Sequence, residues 1–232
     1  MGAPALAARY HQAMDLELGS TPPIDGRAMT ADALLSRHTA AWQAATVHPF
    51  LAGVRDGSVS EDCFDRWLAQ DYMFAQALVR AQSRITAAAP LADVGLLAGG
   101  VVATVGELGW FEEMAARRGV VLDAPMHPTT RAYCDFLLAL TYSGYPAQIT
   151  AIWALERTYL ESWEGARPGA RPYREFVNRW TADGFRSYVS DLQTCVDRQL
   201  EACVGEQARE AEDAFFWVTR YERGFWDMAM SG

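Results

Sequence analysis

The sequence predicts an all-α protein, a bundle of about seven to nine helices. Apolar residues recur three and four positions apart along almost the whole chain. No alternating, β-branched run of strand length interrupts them. The Gly and Pro clusters fall between the periodic stretches rather than inside them.

In chain order, Thr30 is a candidate N-cap for a helix whose face reads Leu34, Leu35, His38, Trp42 and Ala45. Pro49 and Gly57 bracket a short segment. Ser60 followed by Glu61 and Asp62 starts a long helix running to Pro90, because a hydroxyl caps free N–H groups and acids favour the positive helix end. Its stripe is Phe64, Trp67, Asp71, Phe74, Leu78 and Gln82. A second long helix runs from about Leu91 to Arg118 and closes at Gly119. After the loop GVVLDAPMHP, Thr129 or Thr130 starts another helix, which ends at Ser143-Gly144-Tyr145-Pro146. AQITAIWALERTYLESW is helical throughout, and GARPGARP is a loop. Helices follow over residues 173–180, 183–203 and 206–229. Residues 1–29 read as an N-terminal arm and linker, because STPPIDG has linker composition, and residues 30–232 as one helical domain.

Composition limits the function. Half of the 232 residues are hydrophobic, which fits a globular core and not disorder. Net charge is −9, so nucleic acid and anionic membrane surfaces are not expected partners. The longest apolar stretch, near residues 96–105, is broken by Gly99 and Gly100 and reads as too short to span a bilayer. The N-terminus has no signal-peptide core, so the expected location is cytoplasmic. Cys63, Cys134, Cys195 and Cys203 form no CxxC pair and read as small hydrophobes in helices. The four histidines form no ExxH or HExxH motif, so no metal is expected. His38 alone has the setting of an axial haem ligand, but a core or partly exposed histidine is the preferred reading. No GxGxxG, Walker A or GxSxG element occurs, so no nucleotide cofactor is expected.

The informative residues are four acids in aromatic stripes. Asp71 lies between Trp67 and Phe74, Glu107 between Ala103 and Phe111, Glu156 between Trp153 and Tyr159, and Glu222 between Val218 and Trp226. Helical spacing puts each acid on the face of its neighbours. A carboxylate among rings is costly unless paired, hydrogen-bonded or protonated. A buried salt bridge explains any one of them; a shared pocket, in which rings stack a flat ligand and acids handle its protons, explains all four.

HPFLAGVRDGSVSEDCFDRWLAQDYMF is similar to the region of the TenA (thiaminase II-like) family in which a helix carries Gln-Asp-Tyr followed by an aromatic residue. TRYERGFWDMAM resembles that family's C-terminal helix, and NRWTADGFRSYV also fits. The resemblance spans about residues 34–229. It implies a haem-oxygenase-like helical bundle without haem, a homotetramer, and a role in thiamin salvage on substrates carrying the 4-amino-2-methylpyrimidine ring. By resemblance Asp71 hydrogen-bonds the aminopyrimidine, Phe74 stands where a pocket tyrosine is common, Tyr133 and Tyr159 match pocket tyrosines, Trp180 replaces another, and Glu222 matches the proton-transfer glutamate. The chain departs from the cysteine-containing branch. Its segment Trp153-Ala154-Leu155-Glu156-Arg157-Thr158-Tyr159 has no nucleophilic cysteine, and Glu156 lies one residue from that place. This resembles a branch with glutamate in place of cysteine. Without a thiolate, cleavage of intact thiamin is not expected. Cys134 is the one substitute nucleophile in view, but as Tyr133's neighbour it points elsewhere on its helix.

The expected activity is therefore metal-free and cofactor-free hydrolysis of an aminomethylpyrimidine or its N-formyl derivative toward the hydroxymethylpyrimidine. Asp71, Glu156 and Glu222 are the catalytic candidates; Asp71, Phe74, Tyr133, Tyr159 and Trp180 are the substrate-binding ones. A cofactorless oxidase of the same fold and a non-catalytic regulator are the alternatives. The oxidase needs a basic or His-rich pocket.

Overall fold

The computed structural model describes residues 29–231. Among these there are ten helical segments and no strand: α1 (Ala31–Arg37), α2 (Thr39–Thr46), α3 (Pro49–Asp56), α4 (Glu61–Ala88), α5 (Leu91–Arg118), α6 (Pro128–Leu140), α7 (Tyr145–Gly165), α8 (Arg174–Trp180), α9 (Asp183–Ala202) and α10 (Glu206–Met230). His38 is both the last cap of α1 and the first cap of α2, so these two form one bent helix and the bundle has nine by that count. The all-α expectation holds. The arm assigned to residues 1–29 lies outside the described residues except for Met29, which is already buried in the core.

Local chemistry sets the helix ends. The Thr30 hydroxyl accepts from the Ala33 amide at 3.1 Å, and the Ser60 hydroxyl from the Cys63 amide at 3.2 Å, as their positions before acidic first turns predict. Gly119 closes α5 in the left-handed conformation, φ +72°, which a side chain would strain. One start differs from expectation. α6 begins at Pro128, not at Thr129 or Thr130, because the His127 ring accepts from the Thr129 amide at 3.2 Å and Pro128 needs no amide partner.

α7 is the central shaft. Every residue from Ala147 to Glu156 is buried, whichever way it faces, which only a helix packed on all sides allows. α10, α9, α2, α8, α3 and α4 pack on it. α4 packs chiefly on α5 and on α6. At 28 residues, α5 is long and apolar enough to cross a membrane by length and composition, which the sequence reading had excluded. One side of it nevertheless belongs to the bundle: Asp93, Leu97, Gly100, Thr104 and Phe111 are buried.

Candidate active site

α4, α5, α7, α8 and α9 enclose a cavity holding about 580 Å³ of space, its open mouth included. α4 supplies Asp71 and Phe74, three residues apart and so on one face. α5 supplies Glu107, α7 Glu156 and Tyr159, and α8 Trp180. The wall continues outward into a wider vestibule, which shares Gly100, Glu107, Trp180 and Tyr188 with the inner space and adds Trp110 and Arg179.

The polar geometry is specific. The Tyr159 hydroxyl donates to Asp71 Oδ2 at 2.6 Å. The Trp180 ring N–H donates to Glu107 Oε1 at 3.0 Å, and Arg179 Nε lies 3.5 Å from the same oxygen. Arg179 also sits over the Trp110 ring, 4.5 Å from its centroid. Tyr159 and Trp180 meet edge to face with centroids 5.2 Å apart, so each fixes the other's plane. Glu156 is only 8% exposed and has no hydrogen-bond partner among the described residues.

Two expected site residues stand apart from this wall. Tyr133 and Glu222 are buried, and the Tyr133 hydroxyl donates to Glu222 Oε1 at 2.7 Å. Neither lines the cavity. They sit behind Phe74, whose ring is 4.5 Å from that of Tyr133. Asp71, Phe74, Glu156, Tyr159 and Trp180 do share the cavity.

Burial dominates the electrostatics. It pushes Asp71 up to about 7; the Tyr159 hydrogen bond opposes this, and the charge of Glu107 adds to it. Burial, then the charges of Glu107, Glu222 and Asp71, push Glu156 up to about 8. Burial pushes Glu222 to about 8, against the Tyr133 hydrogen bond. Glu107 is also raised by burial, with Arg179 and Trp180 holding it down. Burial and mutual repulsion thus favour the protonated forms of these carboxyls.

Cys134 is not on the cavity wall, and burial pushes its thiol up to about 11, so it offers little thiolate at neutral pH. His38 Nε2 is 2.8 Å from Glu212 Oε1, a partnered histidine. Among the described residues no group of three or more His, Cys, Asp and Glu side chains is arranged to hold a metal. The basic, His-rich lining an oxidase of this fold would need is absent from the inner wall.

Sequence reasoning missed Tyr188, Phe185 and Gly100 on the wall. Gln82 was visible as a polar residue in the α4 stripe, the one signal that pointed toward Tyr188.

The profile of the TENA/THI-4/PQQC family matches residues 35–232. A "Probable bifunctional TENA-E protein" from Glycine max is 30% identical over 84% of this chain and 90% of its own length. An "Aminopyrimidine aminohydrolase" from Halalkalibacterium halodurans is 25% identical over 81% of this chain and 89% of its own. Among solved structures, a TenA homologue from Pyrococcus furiosus superposes with a TM-score of 0.83 at 25% identity, covering 87% of this chain and 100% of that one. A domain with a haem oxygenase-like fold from Shewanella denitrificans superposes with a TM-score of 0.70 at 12% identity, covering 88% of this chain and 93% of that one, which bears out the fold expectation.

Proposed function

The chain belongs to the TENA/THI-4/PQQC family, and from that membership we propose that it is a thiamin-salvage hydrolase of the aminopyrimidine aminohydrolase type. Relatives bearing that name match most of the chain at 25% and 26% identity. The reaction is replacement of an amine by water: the methylene C–N bond breaks, water supplies the hydroxyl, and ammonia leaves with the proton. On the N-formyl substrate, water adds to the formyl carbon and formate leaves from the nitrogen.

The observation that carries this reading is the sharing of one ring-walled cavity by Asp71 and Glu156. Asp71, oriented by Tyr159, hydrogen-bonds the amino and ring nitrogens of the pyrimidine. Phe74, Tyr159 and Trp180 enclose its faces. Glu156 lies one residue from the place of the family's cysteine nucleophile and supplies no thiolate, so the chemistry is proton transfer and not covalent addition. Glu156 and Glu222 divide proton delivery to the leaving nitrogen and activation of water. Glu156 meets the reacting atoms directly; Glu222, off the cavity wall behind Phe74 and held by Tyr133, acts through Glu156, to which its charge is coupled. Burial first, and then the neighbouring charges, raise Glu156 to about 8, and burial raises Glu222 likewise, so the two carboxyls do not ionise together at working pH. The active form is a homo-oligomer, and the substrate is the small molecule alone.

The test is ammonia release from 4-amino-5-aminomethyl-2-methylpyrimidine by the purified protein. Asp71→Asn, Glu156→Gln and Glu222→Gln are expected to lower kcat/KM by at least about 100-fold each, the usual contribution of a positioned acid or base. Unchanged rates in all three remove the site assignment.

A further inference from the structure

Among the polar groups of the inner wall that the proposed mechanism leaves unused is the Tyr188 hydroxyl of α9. It faces both the inner cavity and the vestibule. Its setting is unusually constrained. Gln82 of α4 is fully buried, and its side-chain nitrogen donates to the Leu97 carbonyl at 3.2 Å and to Tyr188 Oη at 2.9 Å. A carbonyl only accepts, so the amide must turn its NH₂ toward Leu97. That leaves the second amide hydrogen for Tyr188 and leaves Gln82 Oε1 buried with no partner. An orientation that strands an acceptor is held for the sake of its two donors.

The consequence lies in the direction of the phenol proton. Tyr188 Oη accepts from Gln82, so its own hydrogen cannot point there. It is left for the cavity that Tyr188 lines, where Glu156 is near enough for its charge to act on Tyr188. Burial raises the phenol well above its ordinary range, so it stays a donor. The pair exists only because position 100 is glycine: a Cβ there would lie 2.2 Å from Tyr188 Oη and 2.4 Å from Gln82 Nε2.

We propose that Tyr188 is a specificity-determining residue, a fixed hydrogen-bond donor that selects an acylated exocyclic nitrogen over the free amine. This rests on the hydrolase reading above. With the ring held at Asp71 and the exocyclic nitrogen at Glu156, the substituent on that nitrogen reaches Tyr188 and the vestibule. A formamide oxygen accepts the phenol hydrogen. As water adds to the formyl carbon, negative charge gathers on that same oxygen and the bond strengthens. The free amine or ammonium ends at its nitrogen and carries no acyl oxygen to accept the phenol hydrogen at that point.

The experiment is a comparison of two substrates, the N-formylaminomethyl- and the aminomethylpyrimidine, with wild type, Tyr188→Phe and Gly100→Ala. Circular dichroism melts accompany each variant. Tyr188→Phe is expected to lower kcat/KM on the formyl substrate by about 100-fold, in the range for loss of one oxyanion donor, and to change the rate on the free amine by less than about threefold. Gly100→Ala, which displaces the pair without removing the hydroxyl, is expected to give the same selective loss. An equal loss on both substrates, or none on the formyl substrate, overturns the assignment. Should wild type turn over neither substrate, the hydrolase reading falls and takes this one with it. Should it turn over only the free amine, the hydrolase reading stands and the role of Tyr188 is rejected.

Discussion

At the scale of single residues, Glu156 ties function to stability. Its carboxyl has no hydrogen-bond partner among the described residues and is buried beside three other acids, with its pKa raised from 4.5 to about 8. In the unfolded chain it ionises near its ordinary value. Between those two points the folded protein holds a proton that the unfolded chain has released. Stability from this group is therefore complete below about pH 4.5, falls by roughly 1.4 kcal/mol per pH unit above it, and levels off above pH 8. Glu156→Gln has nothing to titrate. The variant's urea midpoint is accordingly expected to rise relative to wild type from pH 5.5 to pH 8, where the midpoint times the urea slope gives the difference. A difference that stays flat across that window means that Glu156 is solvated. Asp71 and Glu156 were legible in the sequence because an acid three or four residues from aromatic rings is costly wherever the helix packs. Tyr188 and Gly100 were not, and Gln82 showed only as a polar residue in the α4 stripe. They lie on three different helices, and neither the clash at position 100 nor the amide's orientation exists until α4, α5 and α9 come together.

At the scale of elements, helix ends were readable where a strong capping residue precedes an acidic turn, as at Thr30 and Ser60. The end at His127 was not, because an imidazole is a rare cap and the two threonines after Pro128 resemble a start themselves. The attachment of α5 was equally invisible. In its first turn, Asp93 is 1% exposed and is held by Arg198 of α9, with Tyr145 of α7 donating at 2.8 Å and Cys195 of α9 at 3.4 Å. These partners are 52 to 105 residues away in sequence. One carboxylate thus pins the starts of α5 and α7 to α9; α5 and α9 are two of the three helices that bring Gly100, Tyr188 and Gln82 together. Removing its cationic partner strands a buried charge, which costs about 3 kcal/mol in such settings. Arg198→Ala is expected to lose about that much in urea unfolding at pH 7, and Asp93→Asn less, since the amide keeps part of the network and leaves no charge. Equal and small losses from both would mean that the ion pair is a surface ornament of the fold.

At the scale of the whole molecule, the outer face of α5 asks for a partner. From Leu91 to Gly109 its exposed positions carry no charge, although the chain as a whole carries −9. Leu91, Val102 and Val105 are 89%, 73% and 51% exposed. Gly95, Gly99, Gly106 and Gly109 have nothing within 4 Å of the place a Cβ would occupy. Small and apolar residues on one side of a 28-residue helix let another helix approach closely and bury the face from water. Its other side carries the buried Asp93 and the cavity's Thr104 and Glu107, so the bundle already claims half of it. A second copy of this chain is the occupant that needs no further component, and a twofold axis would lay α5 against its own equivalent. Gly99 and Ala103 also line the vestibule, so that copy would stand at the mouth of the site. Light scattering in detergent-free buffer is expected to give a multiple of 25.6 kDa, and Val102→Lys to reduce it, because a lysine facing its symmetry mate is both desolvated and repelled. A wild-type monomer in that buffer would refute self-association through α5. An association that Val102→Lys leaves intact would move the contact to another face.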